Sequence, residues 1–327
     1  MNRLMTAGIA AVSILITAYS AQAAPKVVAS IKPIHSLVAG VMDGIGTPSL
    51  IVEGGASPHT YSLKPSQAAV LQGADMVIWV GGELESFLEK PIATIAARAR
   101  SVELAHAPGL TVLEKRAGGS FEAHRHDDDE HHADPKDERA HADKHDGHDD
   151  HGRDGGDLHI WLDPENAKAM VRVIAGELMQ ADTANAQRYR RNADALLALL
   201  DDLRREIAQH LAPVRNRPFV VFHDGYQYFE HRFGLAAAGS ITVSPEVIPG
   251  AERIREIQAR IVELKAACVF TEPQFQPKLV RVATEGTRTK TGILDPLGAG
   301  IADGPALYFT LLRNMAASVA GCLAPGR

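Results

Sequence analysis

The chain has 327 residues, of which 45% are hydrophobic and 23% charged, and its net charge is −6 at pH 7. The acidic residues are concentrated in residues 121–157, where 14 acidic and 5 basic residues give a net charge of −9, while the rest of the chain carries +3. No cluster of Lys and Arg with interleaved aromatic residues is present, which excludes a nucleic-acid partner.

The first 23 residues are predicted to form a cleavable secretory signal. Arg3 provides a positive start, an apolar run follows to about Ala18, and Ala21-Gln22-Ala23 is an A-x-A cleavage pattern. A membrane anchor is the alternative, but about 15 apolar residues are fewer than the roughly 20 that span a bilayer. We therefore expect an exported mature chain that is not inserted in a membrane.

After the signal, short β-rich runs alternate with longer helical patterns, which predicts two α/β lobes with mainly parallel sheets. The predicted strands are 27–30, 49–53, 76–80 and 101–104 in the first half, and 219–222, 237–243, 268–271 and 292–294 in the second. Helices are predicted to begin near Pro65 and after Glu252, Gln276 and Pro305. The predicted domains are a signal (1–23), an N-terminal lobe (24–182), a connecting helix (183–212) and a C-terminal lobe (213–327).

The connection between the lobes is predicted to be helical. Asp163-Pro164 is a favourable N-cap and first-turn pair for a helix that ends near Gln180. A second pattern covers residues 183–211, which at 1.5 Å per residue gives roughly 42 Å, enough to run along both lobes. Its apolar face is predicted to contain Leu196, Leu199, Leu200 and Leu203.

Residues 121–157 are predicted to form a disordered loop, because a segment this polar cannot bury enough apolar surface to fold. Eight of the 15 histidines lie there: His124, His126, His131, His132, His141, His145, His148 and His151. Tracts of His and Asp bind metal weakly, so we predict an accessory, weak zinc-binding loop. The alternative is a solvated linker whose histidines are incidental.

Three other histidines lie where a ligand would bind. His59 and His223 follow or close predicted strands, and His159 comes directly after the acidic segment. Because ligands bind beyond the carboxyl ends of strands in open α/β sheets, we expect His59 and His223 to face each other across a cleft. Three imidazoles would suit Zn²⁺. Each histidine also has an ordinary structural alternative, and sequence spacing alone does not bring the three together.

The chain has two cysteines, Cys268 and Cys322. In an exported protein a small, even number predicts a disulfide. It would close a loop of 54 residues and contribute roughly 4 kcal/mol. The alternative is a pair of buried free thiols.

Five segments carry a resemblance to a known family: SIKPIHSL (30–37), SPHTYSLKPS (57–66), HIWLDP (159–164), FHDGYQYF (222–229) and ILDPLG (293–298). From about Val27 onward, and interrupted only by the acidic segment, the chain resembles the zinc-specific periplasmic substrate-binding proteins of ABC zinc importers. The resemblance implies two α/β lobes bridged by a rigid helix, with metal between them. It also implies His59, His159 and His223 as zinc ligands, a disulfide between the two cysteines, and a His/Asp-rich loop.

The resemblance gives two candidates for the fourth ligand. Some zinc-specific relatives have a glutamate directly before the first histidine, where this chain has Pro58. The resemblance therefore implies Asp295 or a water in the fourth position, and Asp295 would offset part of the +2 charge. The manganese-binding relatives have a glutamate in place of His223, so a third imidazole favours zinc.

Four residues near these ligands are assigned supporting roles. Asp163 is predicted to cap a helix, and His35 is predicted to be structural. Asp224 and Glu272 are candidates to accept a hydrogen bond from a zinc-binding imidazole.

The resulting prediction is a monomeric periplasmic protein, not an enzyme, that captures Zn²⁺ and delivers it to the membrane permease of an ABC importer. A zinc hydrolase with a three-histidine site is one alternative, although the chain has no H-E-x-x-H helix. A periplasmic zinc buffer without a permease is the other.

Overall fold

The computed structural model describes residues 24–116, 121, 156–242, 249–275 and 277–325. Within these ranges the chain forms two α/β lobes, each built on a four-stranded parallel sheet. The predicted signal and all eight histidines of the predicted accessory loop lie outside the described residues. No helix in the described ranges is long and apolar enough to cross a membrane.

The N-terminal sheet has the strand order β2-β1-β3-β4. Its strands are β1 (Val27–Ile31), β2 (Ser49–Val52), β3 (Met76–Trp79) and β4 (Arg100–Glu103). The associated helices are α1 (Lys32–Val41), α2 (Pro65–Gln72) and α3 (Ser86–Thr94). Every residue of the central strands β1 and β3 is buried, which is why these strands are continuous apolar runs in the sequence.

The C-terminal sheet repeats this arrangement in the order β6-β5-β7-β8. Its strands are β5 (Phe219–His223), β6 (Ala237–Thr242), β7 (Cys268–Thr271) and β8 (Lys290–Ile293). Its helices are α6 (Gln227–Phe233), α7 (Ala251–Glu263), α8 (Lys278–Thr284) and α9 (Leu307–Leu323). All eight predicted strands are present, and the predicted ends differ from the observed ends by at most two residues.

Two further helices, α4 (Pro164–Ala181) and α5 (Ala186–Leu211), connect the sheets. The predicted N-cap of α4 is confirmed, because the Asp163 carboxylate accepts a hydrogen bond from the Glu165 amide at 2.8 Å. The buried residues of α5 recur every three or four positions, at Tyr189, Ala193, Leu196, Leu200, Leu203, Ile207 and Leu211. Leu199, which was predicted on this face, is instead 53% exposed, because the stripe passes from 196 to 200.

The helix α5 packs against α1, α4 and α9, so it contacts elements from both ends of the chain. One main hydrophobic cluster accordingly includes Val77 of the N-terminal sheet, Leu200 of α5 and Phe270 of the C-terminal sheet. A smaller cluster includes Phe222 and Ile257 and lies beneath α7 and α8. The helical layer therefore gives the two sheets a shared core.

The predicted disulfide is present. It joins Cys268 at the start of β7 to Cys322 in α9, with the two Cα atoms 5.9 Å apart. The C-terminal helix is thereby tied covalently to a central strand of the second sheet.

Candidate metal centre

Three segments bring their histidines to one point. His59 lies in a 3-10 turn (Pro58–Thr60) that follows β2, His159 precedes the turn leading into α4, and His223 is the last residue of β5. The Nε2 atom of His159 lies 3.3 Å from Nε2 of His59 and 3.2 Å from Nε2 of His223. The three side chains thus form a cluster whose possible ligand atoms all lie within 4.8 Å of one another.

The spacing of these nitrogens fits a tetrahedral zinc ion. Zn–N bonds of 2.0–2.1 Å at tetrahedral angles place two nitrogens roughly 3.3 Å apart, close to the two Nε2–Nε2 distances. The cavity beside them has a volume of about 10 Å³, which is about the space of one water molecule. A Cβ atom on Gly225 would lie 2.3 Å from Nε2 of His223 and 3.0 Å from Nε2 of His159. Glycine at this position therefore keeps open the space that an ion would need.

Two buried carboxylates orient two of the imidazoles. Asp157 Oδ1 lies 2.7 Å from Nδ1 of His159 and also accepts the His159 backbone N–H at 2.9 Å. Glu272 Oε1 lies 2.6 Å from Nδ1 of His223. An ionised carboxylate only accepts hydrogen bonds, so Nδ1 of His159 and Nδ1 of His223 each carry a proton. In a neutral ring, Nε2 then has a free lone pair that points away from the carboxylate. Two such lone pairs 3.2 Å apart repel each other unless a cation lies between them.

The surroundings of His59 and His223 shift the pKa values of these two histidines in opposite directions. Burial lowers the pKa of His59 well below its usual value, and the positive charge of either neighbouring histidine lowers it further. Burial also opposes a charged His223, but the carboxylates of Glu272, Asp224 and Asp157 together outweigh this effect and raise the pKa of His223. His59 is therefore already unprotonated near neutral pH, whereas a metal ion at His223 competes with a proton.

The structure does not bring Asp295, the predicted fourth ligand, into the histidine cluster. Its Oδ1 accepts the backbone N–H groups of Leu297 and Gly298 at 3.1 and 2.9 Å and the side-chain amide of Gln274 at 2.9 Å. Its Oδ2 accepts the backbone N–H of Ala299 at 2.7 Å. The carboxylate thus holds a turn together, and its role as a ligand stays a prediction.

Of the two carboxylates predicted to accept a hydrogen bond from a clustered imidazole, one does so and the other does not. Glu272 does contact His223, as predicted. The prediction for Asp224 is wrong, because its carboxylate pairs with the guanidinium of Arg116, with Nε 2.9 Å from Oδ1. His35 is buried in α1, where its Nε2 lies 3.1 Å from the Pro48 carbonyl oxygen, so it belongs to the N-terminal lobe and not to the cluster.

Sequence reasoning missed Asp157, because it included this residue in the segment that was predicted to be disordered. Asp157 is in fact buried, and its backbone N–H donates to the Leu113 carbonyl at 2.8 Å. Beside it, Glu114 and Gly156 form an antiparallel bridge, and the Tyr228 hydroxyl donates to the Asp157 carbonyl at 2.5 Å. We call residues 113–116 and 156–157 the neck. The one available signal in the sequence was a carboxylate two residues before His159.

The comparisons with known proteins decide the family. Residues 27–322 match the family model described as ZnuA, zinc-uptake complex component A, periplasmic. The chain belongs to this family. It is 51% identical over 312 residues to the high-affinity zinc uptake system protein ZnuA of Brucella abortus (strain 2308), covering 91% of each chain. The protein of the same name from Yersinia pestis is 36% identical, covering 92% of each.

A solved structure gives the same result for the fold. A crystal structure of ZnuA has a TM-score of 0.73 and 25% sequence identity, and the match covers 92% of this chain and 100% of that one. The predicted family and the predicted two-lobed α/β fold are therefore confirmed. The ZnuA family consists of periplasmic components of zinc uptake, so this chain is a zinc-uptake binding protein.

Proposed function

We propose that this chain binds one Zn²⁺ ion through the Nε2 atoms of His59, His159 and His223 and passes it to the membrane permease of an ABC zinc importer. The observation that carries the proposal is the convergence of three imidazole nitrogens, with spacings of 3.2 and 3.3 Å, from separate segments of the fold. Nitrogen ligands favour Zn²⁺ over Mn²⁺, which prefers oxygen.

The charges around the cluster support a divalent cation. Three neutral imidazoles leave the +2 charge uncompensated, but Asp157 and Glu272 each place a carboxylate behind one of the rings. The interaction with His159 lowers the pKa of Asp157 although burial of this carboxyl opposes ionisation. Two fixed negative charges next to the imidazoles therefore match the ion.

The placement of the ligands suits a cargo that must be released. His59 extends from the N-terminal lobe and His223 from the C-terminal lobe, so one ion would join both lobes. The described residues give Nδ1 of His59 no carboxylate partner, in contrast to the other two rings. His59 is therefore the ligand that a small displacement of one lobe would remove most easily.

The location and the partner of the chain are part of the same proposal. The predicted signal at residues 1–23 would export the chain, and the family description gives a periplasmic component of a zinc-uptake complex. The curated relatives are named as high-affinity zinc uptake proteins. We propose the same role here, as a monomer that binds without catalysis and docks to a permease.

The ligand set is tested by single substitutions in the mature, metal-free protein. His59→Ala, His159→Ala and His223→Ala should each weaken zinc binding at least about tenfold, since loss of an outer hydrogen-bond partner alone typically costs 10–100-fold. Competition with a chelator of known affinity measures the change, and His210→Ala, on the exposed side of α5, is the matched control. A variant that keeps the parental affinity removes that residue from the ligand set.

Delivery to a permease is tested in cells. Cells that lack this chain but keep the permease should accumulate zinc slowly at low external zinc. The parental chain should restore uptake and the His159→Ala variant should not. Uptake that is independent of the chain would identify a buffer instead of a transport component.

A further inference from the structure

A side-chain amide lines the cavity next to the three histidines and lacks a partner for its oxygen. Gln274 lies in the loop after β7, two residues beyond Glu272, and both side chains line the cavity. The Gln274 Oε1 atom is buried and accepts no hydrogen bond in the described structure. A buried oxygen without a partner is unfavourable, so this atom needs a cation or a donor in the assembled site.

The orientation of this amide is determined by Asp295. The Gln274 Nε2 atom donates to Asp295 Oδ1 at 2.9 Å. Because a carboxylate only accepts hydrogen bonds, the nitrogen must face Asp295, and a flipped amide would place two oxygens against each other. Oε1 is therefore directed away from Asp295.

The Asp295 carboxylate is held in this position by further hydrogen bonds. It also accepts the backbone N–H groups of Leu297, Gly298 and Ala299. Turning the carboxylate towards a metal ion would leave these three donors without their acceptor. The loop conformation therefore favours Asp295 as a residue that positions Gln274.

The balance of charges also favours a neutral fourth ligand over a third carboxylate. The carboxylates of Asp157 and Glu272 already match the +2 charge of a zinc ion through the imidazoles that they contact. A ligating Asp295 would add a third negative charge in a buried site. A neutral amide oxygen would fill the fourth position of a tetrahedral site without excess charge.

We infer that Gln274 is the fourth zinc ligand through its Oε1 atom, and that Asp295 acts through Gln274 as a positioning residue. This inference rests on the proposed function, since it requires zinc at the three histidines. It also gives the site a weaker fourth ligand than a carboxylate, which favours release of the ion. The absence of a carboxylate in the fourth position further disfavours Mn²⁺.

The test uses the mature, metal-free protein and titrations with Zn²⁺ and Mn²⁺ in competition with a chelator. Gln274→Leu keeps the approximate size but removes the oxygen, and it should lower zinc affinity about tenfold. Gln187→Leu, which removes an exposed amide on α5, is the control and should change nothing. Gln274→Glu should raise the affinity for Mn²⁺ relative to Zn²⁺, because it adds a carboxylate ligand.

The roles of Gln274 and Asp295 are separated by a double-mutant cycle. Asp295→Asn should weaken zinc binding in the parental protein, because the amide of Gln274 loses its fixed orientation. In the Gln274→Leu background the same change should have no further effect. Independent, multiplicative losses would show that Asp295 does not act through Gln274 and would overturn the inference.

A structural readout completes the test. A crystal structure of the zinc-loaded protein should place Oε1 roughly 2.0–2.2 Å from the ion, and the visible spectrum of the Co²⁺-substituted protein should change in Gln274→Leu. A water in the fourth position would overturn the inference. Loss of tight zinc binding in His223→Ala, together with parental affinity in a folded Gln274→Leu variant, would refute this inference alone. A parental protein without tight zinc binding would refute the proposed function.

Discussion

At the scale of single residues, two of the three clustered imidazoles depend on carboxylates that lie outside the cluster. Asp157 and Glu272 determine which nitrogen of their histidine carries the proton, and therefore which lone pair is available to a metal ion. Both carboxylates are buried, so their hydrogen bonds do not compete with bulk water. The affinity and the pH dependence of the site should respond to these carboxylates as well as to the ligands.

The contribution of Glu272 predicts a change in pH dependence. In the parental protein the carboxylate raises the pKa of His223 above its usual value of 6.5, so zinc affinity should fall as the pH drops through that raised value. Glu272→Gln removes the charge, lowers the pKa of His223 and moves this loss to lower pH. At pH 8, where the proton no longer competes, the variant should still bind zinc about 10–100-fold more weakly, because the imidazole is less well oriented.

The measurement is a series of competition titrations between about pH 5.5 and 8, the range in which histidine titrates. Glu263→Gln, on the exposed side of α7, is the control. Identical pH profiles for Glu272→Gln and the parental protein would show that Glu272 does not act on a zinc-binding histidine.

A second prediction concerns the space that Gly225 leaves open. Gly225→Ala should weaken zinc binding at least about tenfold, because its methyl carbon would meet Nε2 of His223 at 2.3 Å and must displace a ligand. Gly176→Ala in α4 is a matched control, since a Cβ atom there meets nothing within 4 Å and alanine favours the helix by about 1 kcal/mol. Parental zinc affinity in a folded Gly225→Ala protein would place the ion away from these nitrogens.

The sequence revealed the histidines more readily than their surroundings. His59 and His223 stand near or at strand ends, where parallel sheets place ligands, so their positions followed from the strand pattern. Asp157 was hidden by the composition of the acidic segment that ends at it. Gln274 and Gly225 resemble ordinary loop residues, because their importance arises from atoms that approach only in the folded chain.

At the scale of secondary-structure elements, the disulfide links a buried strand to the last helix. In mature protein from an oxidising compartment, Cys268 and Cys322 should give no free thiol, even after unfolding without a reductant. Reduction should then lower the free energy of unfolding by up to about 4 kcal/mol, because the bridge closes a separation of 54 residues. Thiol titration and thermal unfolding measure the two effects, and a Cys268→Ala/Cys322→Ala variant shows whether reductant acts elsewhere. Two reactive thiols in the unreduced, unfolded protein would contradict the prediction.

The elements themselves were predictable because local patterns determine them. The parallel strands are short apolar runs, and the buried stripe of α5 has helical spacing. The exposure of Leu199 could not be read from the sequence, since residues 196, 199 and 200 all fall within one broad helical face. Only the packing of α5 against α1, α4 and α9 determines which of them is covered.

At the scale of the whole molecule, the pattern of residues predicted two lobes with a helix along both, but the convergence of all three histidines was implied only by the resemblance. Periodicity predicts strands and helices, but it does not determine how two sheets are placed around a helical layer. The observed shared core joins residues far apart in sequence, such as Val77, Leu200 and Phe270, in one hydrophobic cluster. This packing of the two lobes brings the rings of His59 and His223 together.

The accessory histidines are tested by a deletion that preserves the neck. Replacing residues 122–155 with a short Gly/Ser linker removes all eight of them but keeps Gly156 and Asp157, which pair with Glu114 and Leu113. We expect the deletion to abolish weak zinc binding and to leave one tight equivalent almost unchanged, because the cluster is already ordered by the fold. Calorimetric titration of both forms measures this. Loss of the tight equivalent in a folded deletion protein would place the principal site in the removed segment.

The neck also makes this chain a natural host for foreign domains. The neck holds the two chain ends that flank residues 117–155 side by side, through the pairs Glu114–Gly156 and Leu113–Asp157. These pairs do not depend on which segment connects the two ends. The entropic cost of a longer loop grows only with the logarithm of its length, and insertions succeed where the chain ends of the host already meet. A fluorescent domain inserted at this point would be attached to Gly156, three residues before His159, which makes the chain a starting scaffold for an optical zinc sensor.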